Sequence, residues 1–321
     1  MVHRTLLLMR QGKGVKRASG IDARLRDRGK RKAQRMGVWI AQQGWIPDQI
    51  LAAPTPCAVV SAEKAAKAMG IGVQQMVVNA RLDKADMATL LDELTLVPET
   101  VHTLMLVGDG VGLEQLIVRL VANGDTVAAG GRKLLKHGSL AVLKWQGAWA
   151  ELEASAAELV DLIDVRSLPK RFPFPDAQGA ELRDRPAYYY RQSSVIPYRR
   201  ATHGLEVLLM GSSKKHHWGV PKGIHEPGMS AQESAAKEAV EEAGVRGRID
   251  QRLLGVYDYE KWGNCCRVEV FAMEVTELLA EDLWQESHRG RQWVAVETAV
   301  GMVKAQQLVP LMRRLAELVA A

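Results

Sequence analysis

Short apolar runs alternate with stretches of helical period through the first half of the chain. "TLLLM" (5–9), "QILAA" (49–53), "VQQMVV" (73–78), "HTLMLVGDG" (102–110) and "SLAVLKW" (139–145) predict strands. Between them "RKAQRMGVWIAQQG" (31–44) and "CAVVSAEKAAKAMG" (57–70) carry an apolar face at the 3.6 period and end on Gly44 and Gly70,. A further helix is predicted near "DMATLLDELTLV", and "ELEASAAELVDLI" (151–163) predicts a closing one. This β-α alternation implies a mainly parallel sheet covered by helices.

The texture then changes. "RSLPKRFPFPDAQGAELRDRP" (166–186) holds four prolines and no period, and it is the expected linker,. Beyond it, strand-like segments broken by turns surround one helix over 230–243, stopped by Gly244,. "RLLGVYDYEKWG" and "CCRVEVFAMEV" alternate like a hairpin, "RQWVAV" adds a strand, and "QLVPLMRRLAELVAA" predicts a last helix. The expected domains are 1–165 and 187–321, both α/β, the second with antiparallel content.

Composition fits this plan. A 321-residue chain that is 47% hydrophobic and 25% charged has enough apolar sequence for two cores,. The formal charge of +6 suits a polyanionic substrate,. No run approaches the roughly 18 apolar residues of a membrane span, and the N-terminus has no cleavage pattern,. Cys57, Cys265 and Cys266 have no metal spacing and are expected as buried, reduced thiols,. A cytoplasmic setting is the expectation.

The candidate chemistry lies in "KEAVEEAGV". Glu238, Glu241 and Glu242 fall at i, i+3 and i+4, on one helical face, where like charges repel,. A hard divalent cation with oxygen ligands, such as Mg²⁺, would relieve that repulsion beside a phosphate; a solvated Glu-rich face is the other meaning of the pattern. Upstream, "WGVPKGIHEPG" runs a strand into a glycine-containing loop, where Lys222 stands ready for a phosphate.

The stretch "GIHEPGMSAQESAAKEAVEEAGV" (223–245) resembles the Nudix box, G-x5-E-x7-R-E-U-x-E-E-x-G-U, where U is a bulky aliphatic. Gly223, Glu238, Glu241, Glu242, Gly244 and Val245 match it. Met229 replaces the first Glu, Lys237 the Arg, and Ala239 an aliphatic. The flanks resemble the branch containing diphosphoinositol polyphosphate and diadenosine polyphosphate hydrolases. The resemblance implies a Nudix α/β/α sandwich with a mixed sheet, acting as a Mg²⁺-dependent pyrophosphohydrolase, with Mn²⁺ as the alternative ion. It implies Glu238, Glu241, Glu242 and the Gly223 carbonyl as metal ligands. Glu286 is the implied later acid for the attacking water. Arg199 and Lys222 are the implied phosphate clamps, with Lys214, Lys215 and Arg200 behind them. Lys237 keeps the charge of the family's Arg without its planar fork.

Residues 1–150 resemble the small phosphohistidine phosphatases, a three-layer α/β/α fold, through "LLLMRQGKG", "APTPCA" and "LMLVGDGVG". At the family's nucleophilic His stands Gln11, Cys57 takes the place of a phosphate-binding Arg, and Asp109 that of the second His. A glutamine amide forms no phosphoenzyme, so this half is expected to be inactive.

The expected partner is a phosphorylated small molecule, first a dinucleoside polyphosphate, then a diphosphoinositol polyphosphate or capped RNA. A membrane is not expected, nucleic acid is disfavoured by the lack of aromatic interleaving in the basic N-terminal stretch, and a homodimer stays open. The rival expectation is a sensor that binds phosphorylated ligands without turnover.

Overall fold

The computed structural model of the chain describes residues 2–15, 24–122, 133–212 and 217–320. It divides into two compact units, Met1–Pro186 and Ala187–Ala321. Lys214, Lys215 and His216 lie outside the described residues, as do Lys16 and Arg17 of the basic N-terminal stretch.

In the first unit the strands are β1 (His3–Arg10), β2 (Gln49–Ala52), β3 (Met76–Val78), β4 (Thr103–Gly108), β5 (Leu140–Gln146) and β6 (Glu158–Ile163), and the helices α1 (Asp27–Gln42), α2 (Pro56–Met69), α3 (Met87–Thr95) and α4 (Gly110–Leu120). The sheet order is β3-β2-β4-β1-β5-β6. The first four strands run parallel, whereas β5 and β6 are antiparallel additions. Leu6, Leu7, Leu8 and Met9 are all fully buried although consecutive strand residues point to opposite faces. Both faces of β1 are therefore covered, as a central strand of an α/β sheet requires.

The helix expected over 151–163 is not formed. Residues 158–163 instead extend as β6 and pair with β5. The ladder to β5 satisfies their backbone groups and overrides the helical period of the alanine-rich sequence. Strand "VQQMVV" is shorter than expected, since residues 73–75 form a single 3₁₀ turn. The segment expected as a linker carries a small hairpin, β7 (Phe172–Phe174) with β8 (Glu181–Arg183). Arg35 donates to the Pro169 carbonyl (2.7 Å) and Arg31 to that of Asp184 (3.0 Å), which ties the segment to α1.

The second unit holds β9 (Arg191–Ala201), β10 (Gly204–Gly211), β11 (Trp218–Gly219), β12 (Lys222–Ile224), β13 (Val245–Lys261), β14 (Asn264–Leu278) and β15 (Arg291–Ala295), with helices α5 (Ala231–Glu238), α6 (Val296–Met302) and α7 (Val309–Ala320). Its sheet is mixed: β9 pairs parallel with β14 and antiparallel with β10 and β12. Alternate residues of β9 and β10 feed two cores. Val195, Leu208 and Met210 pack with Ala235, Ala239 and Ala243 on one face. Ile196, Val207 and Leu209 pack with Val296, Met312 and Leu315 on the other. The result is a helix–sheet–helix sandwich. Cys57 and Cys266 are buried as expected, but Cys265 is exposed, because neighbours on a strand face opposite ways,.

Close approach of α1 to α2 depends on Gly37, where a Cβ would run into the backbone carbonyl of Ala65. We expect Gly37→Val to destabilise the first unit by about 1–3 kcal/mol, measured as a lowered urea midpoint. An unchanged midpoint would show that the two helices part without cost.

Candidate active site

The carboxylate helix begins with a reciprocal cap. Ser230 Oγ accepts from the Glu233 N–H (3.2 Å), and the Glu233 carboxylate accepts from the Ser230 N–H (2.7 Å). Ala231, Ala235, Ala239 and Ala243 recur every fourth residue and form its buried stripe, so the helix lies close on the sheet,. The expected helix over 230–243 is regular only to Glu238; Ala239–Ala243 open into one π-helical turn that carries Glu241 and Glu242. Gly244 closes it with φ of 61°. Arg291 donates to the carbonyls of Ala243 (2.9 Å), Gly244 (2.6 Å) and Leu279 (2.6 Å), pinning that end against β15.

Facing this helix is the turn from Pro221 into β12. The Lys222 N–H donates to Glu242 Oε2 (2.9 Å). Gly223 lies directly against the Glu238 carboxyl, and a Cβ at this position would collide with it. Glycine here is a requirement of space, not of backbone conformation.

The electrostatics of the cluster are frustrated. Burial, followed by the charges of Glu242 and Glu241, pushes the Glu238 carboxyl up to about 7. Glu242 is also raised, by burial first, against the pull of the Lys222 N–H and the Arg289 charge. Three cations are interleaved. Lys237 reaches Glu226 (3.4 Å) and Glu241 (3.8 Å). Arg289 reaches Glu242 (3.1 Å) and is in contact with Glu286. Lys222 sits 5.2 Å from the Tyr259 ring.

The structure thus gathers Glu238, Glu241, Glu242, Lys237, Lys222, Gly223 and Glu286 in one region. Arg199 is placed elsewhere: it pairs with Glu206 (2.7 Å) and stacks 4.4 Å from the Trp293 ring centroid. Arg200 donates to the Val319 carbonyl at the end of α7.

Several participants escape sequence reading. Glu226 lies three residues before Met229 and supplies the carboxylate partner of Lys237 that the methionine lacks. Arg289 lies in "SHRG", whose only sequence signal is a charge near Glu286. Lys261 precedes the tight β13–β14 turn at Trp262 and Gly263. Burial, then the like charge of Lys222, holds its ammonium below the usual value. A cleft of about 500 Å³ opens beside the carboxylates, lined by Trp218, Lys222, Tyr257, Tyr259, Arg289 and Lys304.

The acidic side chains of the cluster offer carboxylate oxygens, the donors a hard divalent cation takes, with Lys237 and Arg289 among them. Glu286 Oε2 is buried without a hydrogen-bond partner, and the absence of a side chain at Gly223 lets the Glu238 carboxyl lie directly on the backbone of that turn. Among the described residues, however, no three His, Cys, Asp or Glu side chains stand in ready metal-holding geometry. Lys237 and Arg289 hold the carboxylates in their present positions.

In the first unit the expected site residues also converge. Arg10 is buried, donates to the Leu135 carbonyl (2.7 Å), and lies 3.7 Å from Asp109 and 3.9 Å from Glu114. The Gln11 amide oxygen accepts from the Thr55 hydroxyl (2.7 Å). Cys57 is buried, and burial raises its thiol pKa. His137, not singled out in the sequence, bonds through Nδ1 to the Gln11 carbonyl (3.1 Å), and burial keeps its pKa low.

The family profile described as NUDIX domain matches residues 189–319, so the second unit is a NUDIX domain. Over 108 residues the chain is 34% identical to "Nudix hydrolase 12, mitochondrial" of Arabidopsis thaliana, covering 31% of this chain and 53% of that protein. It is 38% identical to mouse diphosphoinositol polyphosphate phosphohydrolase 3-alpha, covering 32% and 63%. The match therefore spans between about half and two thirds of those curated relatives. Among solved structures, the putative phosphohistidine phosphatase SixA from Nakamurella multipartitia is 23% identical over 51% of this chain and 97% of its own, with a TM-score of 0.43. The Ap4A hydrolase of C. elegans is 25% identical over 40% and 98%, with a TM-score of 0.35.

One prediction follows from the raised Glu238 pKa. An unfolded-state glutamate titrates near ~4.3. With a folded-state value near 7, this group's contribution to stability is present below ~4.3 and lost as pH rises through about 7. Metal-free protein is expected to lose stability over that window, and Glu238→Gln to remove a loss on the order of 3 kcal/mol. Urea midpoints in chelator from pH 4.5 to 8 measure it; identical slopes for both proteins contradict it.

Proposed function

We propose that the second unit is a Mg²⁺-dependent pyrophosphohydrolase that cleaves a phosphoanhydride in a nucleoside polyphosphate, a dinucleoside polyphosphate first. The observation that carries this reading is the buried pair Glu238 and Glu242, Glu238 against Gly223 and Glu242 on the Lys222 N–H at the edge of an aromatic, lysine-bearing cleft, with Glu241 beside them on the same helix. Glu238, Glu241, Glu242 and the Gly223 carbonyl would hold the ion, with Mn²⁺ as a substitute. When bound, such an ion neutralises charge on the phosphoryl oxygens and lowers the pKa of water.

The chain's own residues do the rest. Lys222 and Lys261 bring positive charge to the polyphosphate, and their mutual repulsion is relieved when an anion lies between them,. Trp218 and Tyr257 offer flat apolar walls for a base,. Glu241 or Glu286 accepts the proton from the attacking water at a carboxylate oxygen, and the P–O bond to the leaving phosphate breaks as the new one forms. Diphosphoinositol polyphosphates are the second substrate class, favoured by the name of the mouse relative.

The first unit is non-catalytic in this reading. Gln11 stands at the position of the expected nucleophile and is engaged with Thr55, and among the described residues Arg10 is already paired with Asp109 and Glu114. The setting is cytoplasmic; among the described residues no helix is long and apolar enough to cross a membrane.

The test is turnover of a broad panel of pyrophosphate compounds with Mg²⁺, with product identification. Glu241→Gln is expected to lower kcat by at least about a hundredfold while ligand binding persists. Tight binding without turnover in the wild type would instead establish a sensor.

A further inference from the structure

Both oxygens of Glu242 are already taken. Oε2 accepts from the backbone N–H of Lys222 (2.9 Å), and Oε1 is held by Arg289 Nη2 (3.1 Å). The two partners differ in how readily they leave. The Lys222 N–H belongs to β12, whose pairing with β9 would have to break for it to move. Arg289 is a side chain in the short Ser287–Arg289 turn, next to Gly290, and it lines the 500 Å³ cleft. Its other contact, to Glu286, is poorly made: Arg289 Nε and Glu286 Oε2 touch as an ion pair, yet both are buried without an aligned hydrogen bond.

We propose that Arg289 is a built-in counter-cation of the metal site. It occupies the oxygen of Glu242 that a divalent ion needs, joins Glu242 to Glu286 in the metal-free protein, and swings into the cleft when the ion enters. This rests on the reading of the glutamates as metal ligands. Physically the arginine stands in for the ion: a guanidinium between two half-buried carboxylates offsets their repulsion, as the metal does in the loaded state. Exchange costs little because one charge-assisted contact is replaced by a stronger one and the freed arginine gains access to water. The divalent ion competes with a tethered positive charge, so the site binds it less tightly than the carboxylates alone would.

Manganese(II) titration of the full chain, without substrate, followed by calorimetry or by the paramagnetic signal of free ion, tests this. In Arg289→Gln the competitor is gone, and the dissociation constant is expected to fall at least about tenfold. Arg289→Lys keeps one positive charge but lacks the fork that spans two carboxylates, so its affinity is expected between the two. Thermal melting in chelator shows whether each variant is folded. If Arg289→Gln does not fold, tighter binding by Arg289→Lys than by wild type carries the same conclusion. Unchanged or weaker manganese binding in a folded variant overturns the proposal, and weaker binding is what a merely structural arginine would give. Wild-type protein that binds no manganese would instead overturn the metal-dependent reading itself.

Discussion

Carboxylates that face one another in a half-buried place cannot all ionise at neutral pH without a cation between them. In the second unit this constraint applies to Glu238 and Glu242, with Glu226, Glu241 and Glu286 around them, and it shapes the neighbourhood. The metal-free protein meets it in two ways: Glu238 holds its proton up to about pH 7, and Lys237 and Arg289 are threaded between the acids. On the proposed reading, a site that needs both devices takes an additional positive charge.

The rest of the unit keeps the acids from relaxing apart. A stripe of alanines seats their helix close on β9 and β10, Arg291 fixes its C-terminal carbonyls, and Gly223 brings the β12 turn against Glu238. The two cores on opposite faces of the mixed sheet make this arrangement stiff. In close-packed surroundings the carboxylates do not separate to lower their repulsion, so it is met by protonation of Glu238 and by the neighbouring cations. The cleft with Lys222 and Tyr259 adjoins this acid cluster, and on the proposed reading its positive and negative halves take a metal–polyphosphate pair.

Much of this was legible because it repeats at short range. The spacing of Glu238, Glu241 and Glu242, Gly244 after them and Gly223 before them follow from local sequence, as do most strands of both sheets. What was hidden depends on folding across distance. Glu226 compensates for Met229 only because the loop curls back over Lys237. Arg289 meets Glu242 from 47 positions away, and nothing in "SHRG" declares that meeting. Arg199, expected as a phosphate clamp, is paired across the strands with Glu206 and stacked on Trp293, neither of which local sequence declares. The helix expected before the linker failed for the same kind of reason: its residues had a sheet edge to join. Likewise the linker itself, rich in proline, folds as a hairpin against α1 through Arg31 and Arg35.

The central claim is that the glutamates of the NUDIX domain enclose a divalent ion. Anomalous scattering at the manganese edge, from crystals of the full chain grown with manganese, tests it most directly. The account predicts an anomalous peak bounded by carboxylate oxygens of Glu238 and Glu242 and facing the Gly223 backbone, with the Arg289 side chain moved off Glu242. A peak elsewhere, or none in that cluster while Arg289 still bridges Glu242 and Glu286, would contradict it.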